Sequence, residues 1–135
     1  MKVIIDTNVL VSGIFFGGIP KEILLAWKSN IFTLVISHEI LEEYLEVVQE
    51  LQNIYPTVKA LDIVQTIAVN SEITYSIVLK DQICEVPDDD KFLAAALASK
   101  TKIIVSGDKL LNKISGWSGI SVLSPRTFYD KYIKR

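Results

Sequence analysis

The sequence of 135 residues contains one cysteine, Cys84, and one histidine, His38. A single cysteine excludes a disulfide within the chain and any zinc site built from several cysteines. No uninterrupted apolar run approaches the roughly 18 residues of a membrane-spanning helix, although half of all residues are hydrophobic. The first apolar run also starts too close to Met1 to be a signal peptide. These absences favour a reducing, cytoplasmic setting, and the length fits a single domain over residues 1–135.

The sequence also has little net charge, −2, which alone would argue against a nucleic-acid ligand. The charge is unevenly distributed, however. Up to Asp90 there are 5 Lys and Arg against 14 Asp and Glu, and from Lys91 onward there are 9 against 2. Such asymmetry can place an acidic pocket beside a basic surface, as a metal-dependent enzyme that cuts a polyanion would need. Alternatively, the charges can be scattered again over the surface once the chain has folded.

The opening stretch organises the rest of the chain. An apolar, β-branched run from Val3 to Ile5 stops at Asp6 and is followed by short polar side chains, which predicts a buried strand and then a turn. Open α/β sheets bind their ligands at the carboxyl ends of the strands. Asp6 is therefore either an ordinary turn residue or one wall of a site.

Strands and helices alternate along the whole chain. Further strands are predicted at 32–36, 73–78, 102–105 and 120–123, and helices at 20–30, 37–52, from 57 onward, at 89–100, at 109–114 and from 124 onward. This order predicts an α/β fold, a three-layer α/β/α sandwich with a mainly parallel central sheet of about five strands. The glycine-rich stretch 12–19 is expected to form an apolar flap beside the site.

Acidic residues stand where such a sheet would gather them. Asp6 and Asp108 each follow a predicted strand directly, and Asp90 enters a helix after Asp88 and Asp89. Singly, Asp108 and one residue of the triplet are also explained as helix N-caps. One cap needs only one carboxylate, however, and three in a row repel one another unless a cation or a proton offsets them.

Glu43 lies on the third predicted helix at the border of its apolar face. With Ile40 at zero on a helical wheel, that face runs from Val47 at about 340° to Leu45 at about 140°, and Glu43 falls at about 300°. The other glutamates of this helix lie further from the apolar arc, as a solvated acidic face would. Glu43 is therefore the one best placed to reach the seam between helix and sheet.

Four segments resemble the motifs of the PIN-domain nucleases, and most of all the bacterial toxin–antitoxin branch related to the VapC toxins. They are IIDTNVL at 4–10, Ser37 followed by LEE at 41–43, DDDKFLAAA at 88–96 and VSGDKLL at 105–111. The resemblance extends from Val3 to about Tyr129. The order and spacing of the four segments make it more specific than any one of them.

This resemblance implies site residues. It implies catalytic roles for Asp6, Glu43, Asp90 and Asp108, with Asp6, Asp90 and Asp108 as metal ligands. It implies that Thr7, Asn8, Ser106 and Asp88 orient those ligands or the substrate. Two choices stay open, because Glu42 competes with Glu43 and Asp88 can share the role of Asp90.

The resemblance also implies an activity. Carboxylate oxygens without histidine or cysteine suit Mg²⁺ or Mn²⁺ better than zinc. The expected enzyme is a metal-dependent endoribonuclease that hydrolyses phosphodiester bonds of single-stranded RNA, and the toxin of a type II toxin–antitoxin pair. Such a toxin would have a cognate antitoxin protein as its partner and form a homodimer.

Other functions fit the residues less well. A haloacid-dehalogenase-like phosphatase would need a second aspartate where this chain has Asn8, and a response-regulator receiver domain would need an acidic pair near the first strand. The remaining alternative is a catalytically inactive PIN-like module that binds RNA or protein. Lys91 is interpreted as a solvated lysine at a helix start that could contact phosphates.

Overall fold

The computed structural model describes residues 1–134 and contains one sheet of five parallel strands. The strands are β1 Lys2–Ile5, β2 Thr33–Ile36, β3 Glu72–Ile73, β4 Ile103–Val105 and β5 Ser121–Leu123. Their order across the sheet is β3-β2-β1-β4-β5, which places β1 at the centre. Ile5 of β1 pairs with Val105 of β4, so these two strands end side by side at the same edge of the sheet.

Within residues 1–134, seven α-helices accompany the sheet. They are α1 Thr7–Phe15, α2 Gly18–Lys28, α3 His38–Ile54, α4 Ala60–Asn70, α5 Asp90–Ser99, α6 Lys109–Asn112 and α7 Pro125–Phe128. Short 3₁₀ turns occupy Pro87–Asp89 and Trp117–Gly119, and a π-helical turn at Tyr129–Ile133 extends α7. The helices flank the sheet, which confirms the predicted three-layer α/β/α sandwich.

The core is centred on β1. Val3, Ile4 and Ile5 have no exposed surface, because β1 is covered by layers on both of its faces. This explains why its apolar residues are consecutive instead of alternating. Burying each of these side chains contributes roughly 1.5–3 kcal/mol.

Two helix starts are capped by a serine side chain. The hydroxyl oxygen of Ser37 accepts a hydrogen bond from the Ile40 N–H at 3.2 Å, and that of Ser124 accepts one from the Thr127 N–H at 3.1 Å. Each bond satisfies one of the backbone N–H groups that a first helical turn leaves unpaired.

The predicted glycine-rich flap is wrong. The chain enters α1 directly after Asp6 and stays helical to Phe15, and α2 begins at Gly18 after only two intervening residues. Gly13 is buried where α1 meets α2, and its lack of a side chain allows the close approach. The glycines therefore serve helix packing and a tight turn instead of forming a flap.

Two boundaries also differ from prediction. The third strand is predicted to reach Val78, but the ladder ends at Ile73 with one more bond, from the Thr74 N–H to the Ile36 carbonyl. The fourth helix begins at Ala60 instead of Thr57. β3 is an edge strand whose Ile73 is exposed, so burial constrains the pattern of this segment only weakly.

Within the described residues, no single helix is long and apolar enough to cross a membrane. The helices α1 and α2, which form a bent pair, meet the criteria for a membrane-spanning segment together, by length and composition only.

Candidate active site

The ends of β1 and β4 bring two aspartates together. The backbone N–H of Asp6 donates to the Val105 carbonyl at 2.9 Å, which continues the pairing of the two strands by one residue. The Ser106 hydroxyl then donates to Asp6 Oδ2 at 2.6 Å, and its oxygen accepts from the Asp108 N–H at 3.0 Å. Asp6 is only 7% exposed and Ser106 is fully buried. Ser106 thus links the backbone of one acid to the carboxylate of the other.

These aspartates form part of a cleft of about 280 Å³. Its lining is almost entirely acidic or polar and contains neither histidine nor cysteine. The lining residues are Asp6, Thr7, Asn8, Glu43, Glu46, Val47, Asp88, Asp89 and Asp108. The cleft therefore brings together Asp6, Glu43 and Asp108, which the sequence places far apart, along with Thr7, Asn8 and Asp88. Ser106 lies beneath it, bonded to Asp6.

Glu43 reaches this cleft from α3. Its Oε2 accepts a hydrogen bond from the Thr7 hydroxyl, and its Oε1 forms a 2.8 Å ion pair with Lys91. The neighbouring Glu42 is 65% exposed and pairs with His38 one turn earlier on the same helix. The geometry thus separates the two glutamates, and it is Glu43 that faces the site.

Asp90 does not join the other acids, which corrects its expected place in the cluster. Its two carboxylate oxygens accept hydrogen bonds from the backbone N–H groups of Cys84 at 2.7 Å and Ile83 at 3.1 Å. Asp90 borders a neighbouring depression instead, and Asp89 takes the position in the cleft.

The 3₁₀ turn at Pro87–Asp89 explains why three adjacent aspartates face three ways. Successive residues of a helical turn are rotated by about 100–120°. Asp88 therefore meets Lys91 at 3.1 Å, Asp89 faces the cleft, and Asp90 points back at the preceding loop. A shift of one residue in this turn would exchange these positions.

The carboxylates in the cleft are partly buried and repel one another. Burial raises the pKa of Asp6, and the nearby charges of Glu43 and Asp108 raise it further, against the lowering effect of the Ser106 hydrogen bond. Burial also raises the pKa of Asp89 to about 6, with the carboxylates of Asp6, Asp108 and Glu43 adding to the shift. Each acid thus makes ionisation of its neighbours harder, as expected where a positive charge would bind.

The donor set fits a hard divalent cation. The available ligands are carboxylate oxygens with amide and hydroxyl oxygens beside them, which Mg²⁺ and Mn²⁺ prefer. In residues 1–134 no three His, Cys, Asp or Glu side chains already stand in a coordinating arrangement. The side chains of Asp6, Glu43 and Asp108 are instead held by hydrogen bonds from the Ser106 hydroxyl, the Thr7 hydroxyl and the Leu110 N–H, respectively.

Asp89 and Lys91 are important to the geometry of this site, and the sequence does not single out either of them. Asp89 was seen only as a member of the triplet, and no pattern distinguishes it from Asp90 without the exact start of α5. For Lys91 the sequence leaves open a phosphate contact or a solvated position at a helix start, whereas in the structure its side chain is 16% exposed and contacts both Glu43 and Asp88. Its spacing of three residues from Asp88 was the available signal, since such pairs meet on one helical face.

A family model described as PIN domain matches residues 2–110. No curated protein matches the sequence. One matching solved chain comes from the crystal structure of VapBC2 from Rickettsia felis bound to a DNA fragment from their promoter. It superposes with a TM-score of 0.54 at 15% identity, over 92% of this chain and 98% of that chain, a likeness that concerns the fold. Because the family model spans most of the sequence, this chain belongs to the PIN domain family.

Proposed function

We propose that this protein is a metal-dependent endoribonuclease that hydrolyses phosphodiester bonds of single-stranded RNA. Members of its family are generally nucleases. One observation carries the proposal for this chain. Carboxylates from four separate parts of the sequence line a single cleft at the carboxyl edge of the sheet, where burial, together with repulsion between them, raises the pKa of Asp6 and Asp89.

Asp6, Asp89 and Asp108 would hold Mg²⁺ or Mn²⁺. When bound, such an ion lowers the pKa of water and stabilises negative charge on a phosphate. The protein supplies the orientation: Ser106 fixes the carboxylate of Asp6 and the backbone of Asp108, and Thr7 fixes Glu43. The exposed side chain of Asn8 at the rim is placed to donate to a phosphate oxygen.

The fold also supports a partner. The VapBC2 chain that shares this fold comes from a complex bound to promoter DNA. By analogy, we propose that this protein is the toxin of a type II pair, that it forms a homodimer, and that a cognate antitoxin protein blocks its cleft. Such a toxin would act in the cytoplasm, where its RNA substrates are.

The test is RNA cleavage by purified protein with and without a chelator. Asp6→Asn keeps the size of the side chain and its bond to Ser106 but removes the charge, so we expect cleavage to fall by at least a hundredfold with the fold intact. Asp62→Asn is the matched control, because Asp62 is exposed on α4 and outside the cleft. Chelator-insensitive cleavage, or full activity in Asp6→Asn, would overturn the proposal.

A catalytically inactive binding module remains the second candidate. The observation in its favour is that the described acids are not arranged to coordinate a metal. Such a module need not bind Mn²⁺. A titration in which the wild-type protein takes up no Mn²⁺ while retaining RNA binding would favour it over the nuclease.

A further inference from the structure

Lys91 lies at the end of the cleft formed by Glu43 and Asp88. Its Nζ is 2.8 Å from Glu43 Oε1 and 3.1 Å from Asp88 Oδ1. The Lys91 and Glu43 side chains are only 16% and 21% exposed, whereas Asp88 is 71% exposed. The short, shielded pair with Glu43 distinguishes Lys91 from the flexible surface lysines that contribute little to stability.

Glu43 has no free carboxylate oxygen in this arrangement. Lys91 pairs with Oε1, and the Thr7 hydroxyl donates to Oε2. In the part of the chain that the structure describes, Lys91 is also the one lysine or arginine that forms an ion pair with a carboxylate lining the cleft. The cleft thus has two ends: one holds a protein cation, and the other holds Asp6, Asp89 and Asp108, which have no cationic partner among residues 1–134.

We infer that the Lys91 ammonium occupies the place of a second divalent cation, so that the site binds a single metal ion. This inference rests on the proposed metal-dependent function and adds the number of ions to it. A second ion at this end would need the oxygens of Glu43 and Asp88, which already bind Lys91, and it would be repelled by the ammonium charge. Lys91 is therefore a positioning residue: it holds Glu43 in place and confines the metal to the other end of the cleft.

The local structure makes both ends depend on one turn. Asp89 closes the 3₁₀ turn and Lys91 lies in the first turn of α5, two residues later. Two residues correspond to a rotation of about 200° around the helix axis, so Asp89 faces the metal end of the cleft and Lys91 faces Glu43. The same segment thus supplies a metal ligand and the cation that limits metal number.

The test counts Mn²⁺ ions per chain by isothermal titration calorimetry and electron paramagnetic resonance. We expect one Mn²⁺ for the wild-type protein. Lys91→Met keeps an unbranched side chain of nearly the same length but removes its charge, so it should free Glu43 and Asp88 and raise the count to two. Lys91→Arg keeps the charge and should bind one. Glu43→Gln should also bind one, because Glu43 is paired with Lys91 and not with the metal.

The outcomes separate this inference from the proposed function. Two ions bound to the wild-type protein, or one ion with unchanged affinity in folded Lys91→Met, would overturn the single-metal inference and leave the nuclease proposal standing. No Mn²⁺ bound to the folded wild-type protein would remove the metal-dependent function and the inference with it. Circular dichroism checks each fold, and if Lys91→Met does not fold, the wild-type and Glu43→Gln counts decide.

Discussion

Three identical side chains in a row have three different environments in this protein. Asp88 pairs with Lys91, Asp89 lines the acidic cleft, and Asp90 accepts two backbone hydrogen bonds. The resemblance to nucleases implies Asp90 as a metal ligand, whereas it is Asp89 that lines the cleft, so Asp89 is the ligand in the function proposed above. The choice depends on a rotation of about 100° per residue at the start of a helix, which is where boundaries are least certain.

This distinction predicts opposite effects for two equivalent substitutions. Asp89→Asn should abolish Mn²⁺ binding and leave stability in chelator unchanged or higher, because it relieves repulsion in the cleft. Asp90→Asn should keep Mn²⁺ binding but lower the free energy of unfolding by about 1–3 kcal/mol, because it weakens bonds to a charged acceptor. Urea denaturation and Mn²⁺ titration of both variants measure this, and the reverse pattern would restore Asp90 as the ligand.

The raised pKa of Asp89 also predicts how stability depends on pH. Below its ordinary value of 3.8 the carboxyl is protonated in both the folded and the unfolded chain. Between that value and about 6 the unfolded chain loses its proton first, so the folded state becomes relatively less stable as pH rises. In chelator, the fall in unfolding free energy from pH 4 to pH 6.5 should be smaller for Asp89→Asn than for the wild-type protein. Equal slopes would show that Asp89 is not repelled by its neighbours.

At this scale the sequence predicts some residues better than others. Asp6 and Asp108 each follow a buried strand, so their place at the carboxyl edge of a parallel sheet could be predicted from the chain alone. That β1 and β4 are neighbours in this sheet is seen only in the structure. The burial of Lys91 could not, because its main partner, Glu43, is 48 residues away on another helix.

At the scale of secondary structure, the five strands were predictable because β-branched runs alternate with helical patterns. The largest difference from prediction lies between β1 and β2, where the glycines suggest a flap but belong to two packed helices. In the structure, a Cβ at Gly13 would lie 2.7 Å from Leu24 Cδ1 and 2.8 Å from the Pro20 carbonyl oxygen. The glycine is there because a helix passes close by, a contact that no local pattern reveals.

The packing of α1 on α2 can be tested at Gly13. Alanine normally stabilises a helix relative to glycine by about 1 kcal/mol, but here its methyl group would overlap backbone atoms. We expect Gly13→Ala to lower the free energy of unfolding by about 1–3 kcal/mol in urea denaturation. Gly107→Ala is the control, because nothing lies within 4 Å of its Cβ position, and it should change stability by less than about 1 kcal/mol. A stabilised Gly13→Ala would show that the helices can separate without cost.

At the scale of the whole molecule, the uneven charge of the sequence is partly concentrated by folding. Acids from the first 90 residues meet Asp108 from the basic remainder in one cleft. Composition could indicate that such a pocket was possible, but only the order of the parallel strands determines which acids share it.

A molecule with such a cleft should become more stable when a divalent cation binds. At a Mn²⁺ concentration one hundred times the dissociation constant, binding adds about 2.7 kcal/mol, which should raise the melting temperature by on the order of 8 °C. The increase should be largest above pH 6, where Asp89 is ionised, and should disappear in Asp6→Asn. Differential scanning calorimetry against NaCl of matched ionic strength measures it. An equal increase in Asp6→Asn would place the ion elsewhere.

The hydrogen bond from Ser106 to Asp6 joins residues 100 positions apart. It forms only after β4 has been synthesised and has paired with β1, because the ends of these two strands hold its donor and acceptor. A chain still emerging from the ribosome therefore has its first acid but no completed centre. If the protein cleaves RNA, a nascent chain therefore cannot do so while it is still being made, until its synthesis is nearly finished.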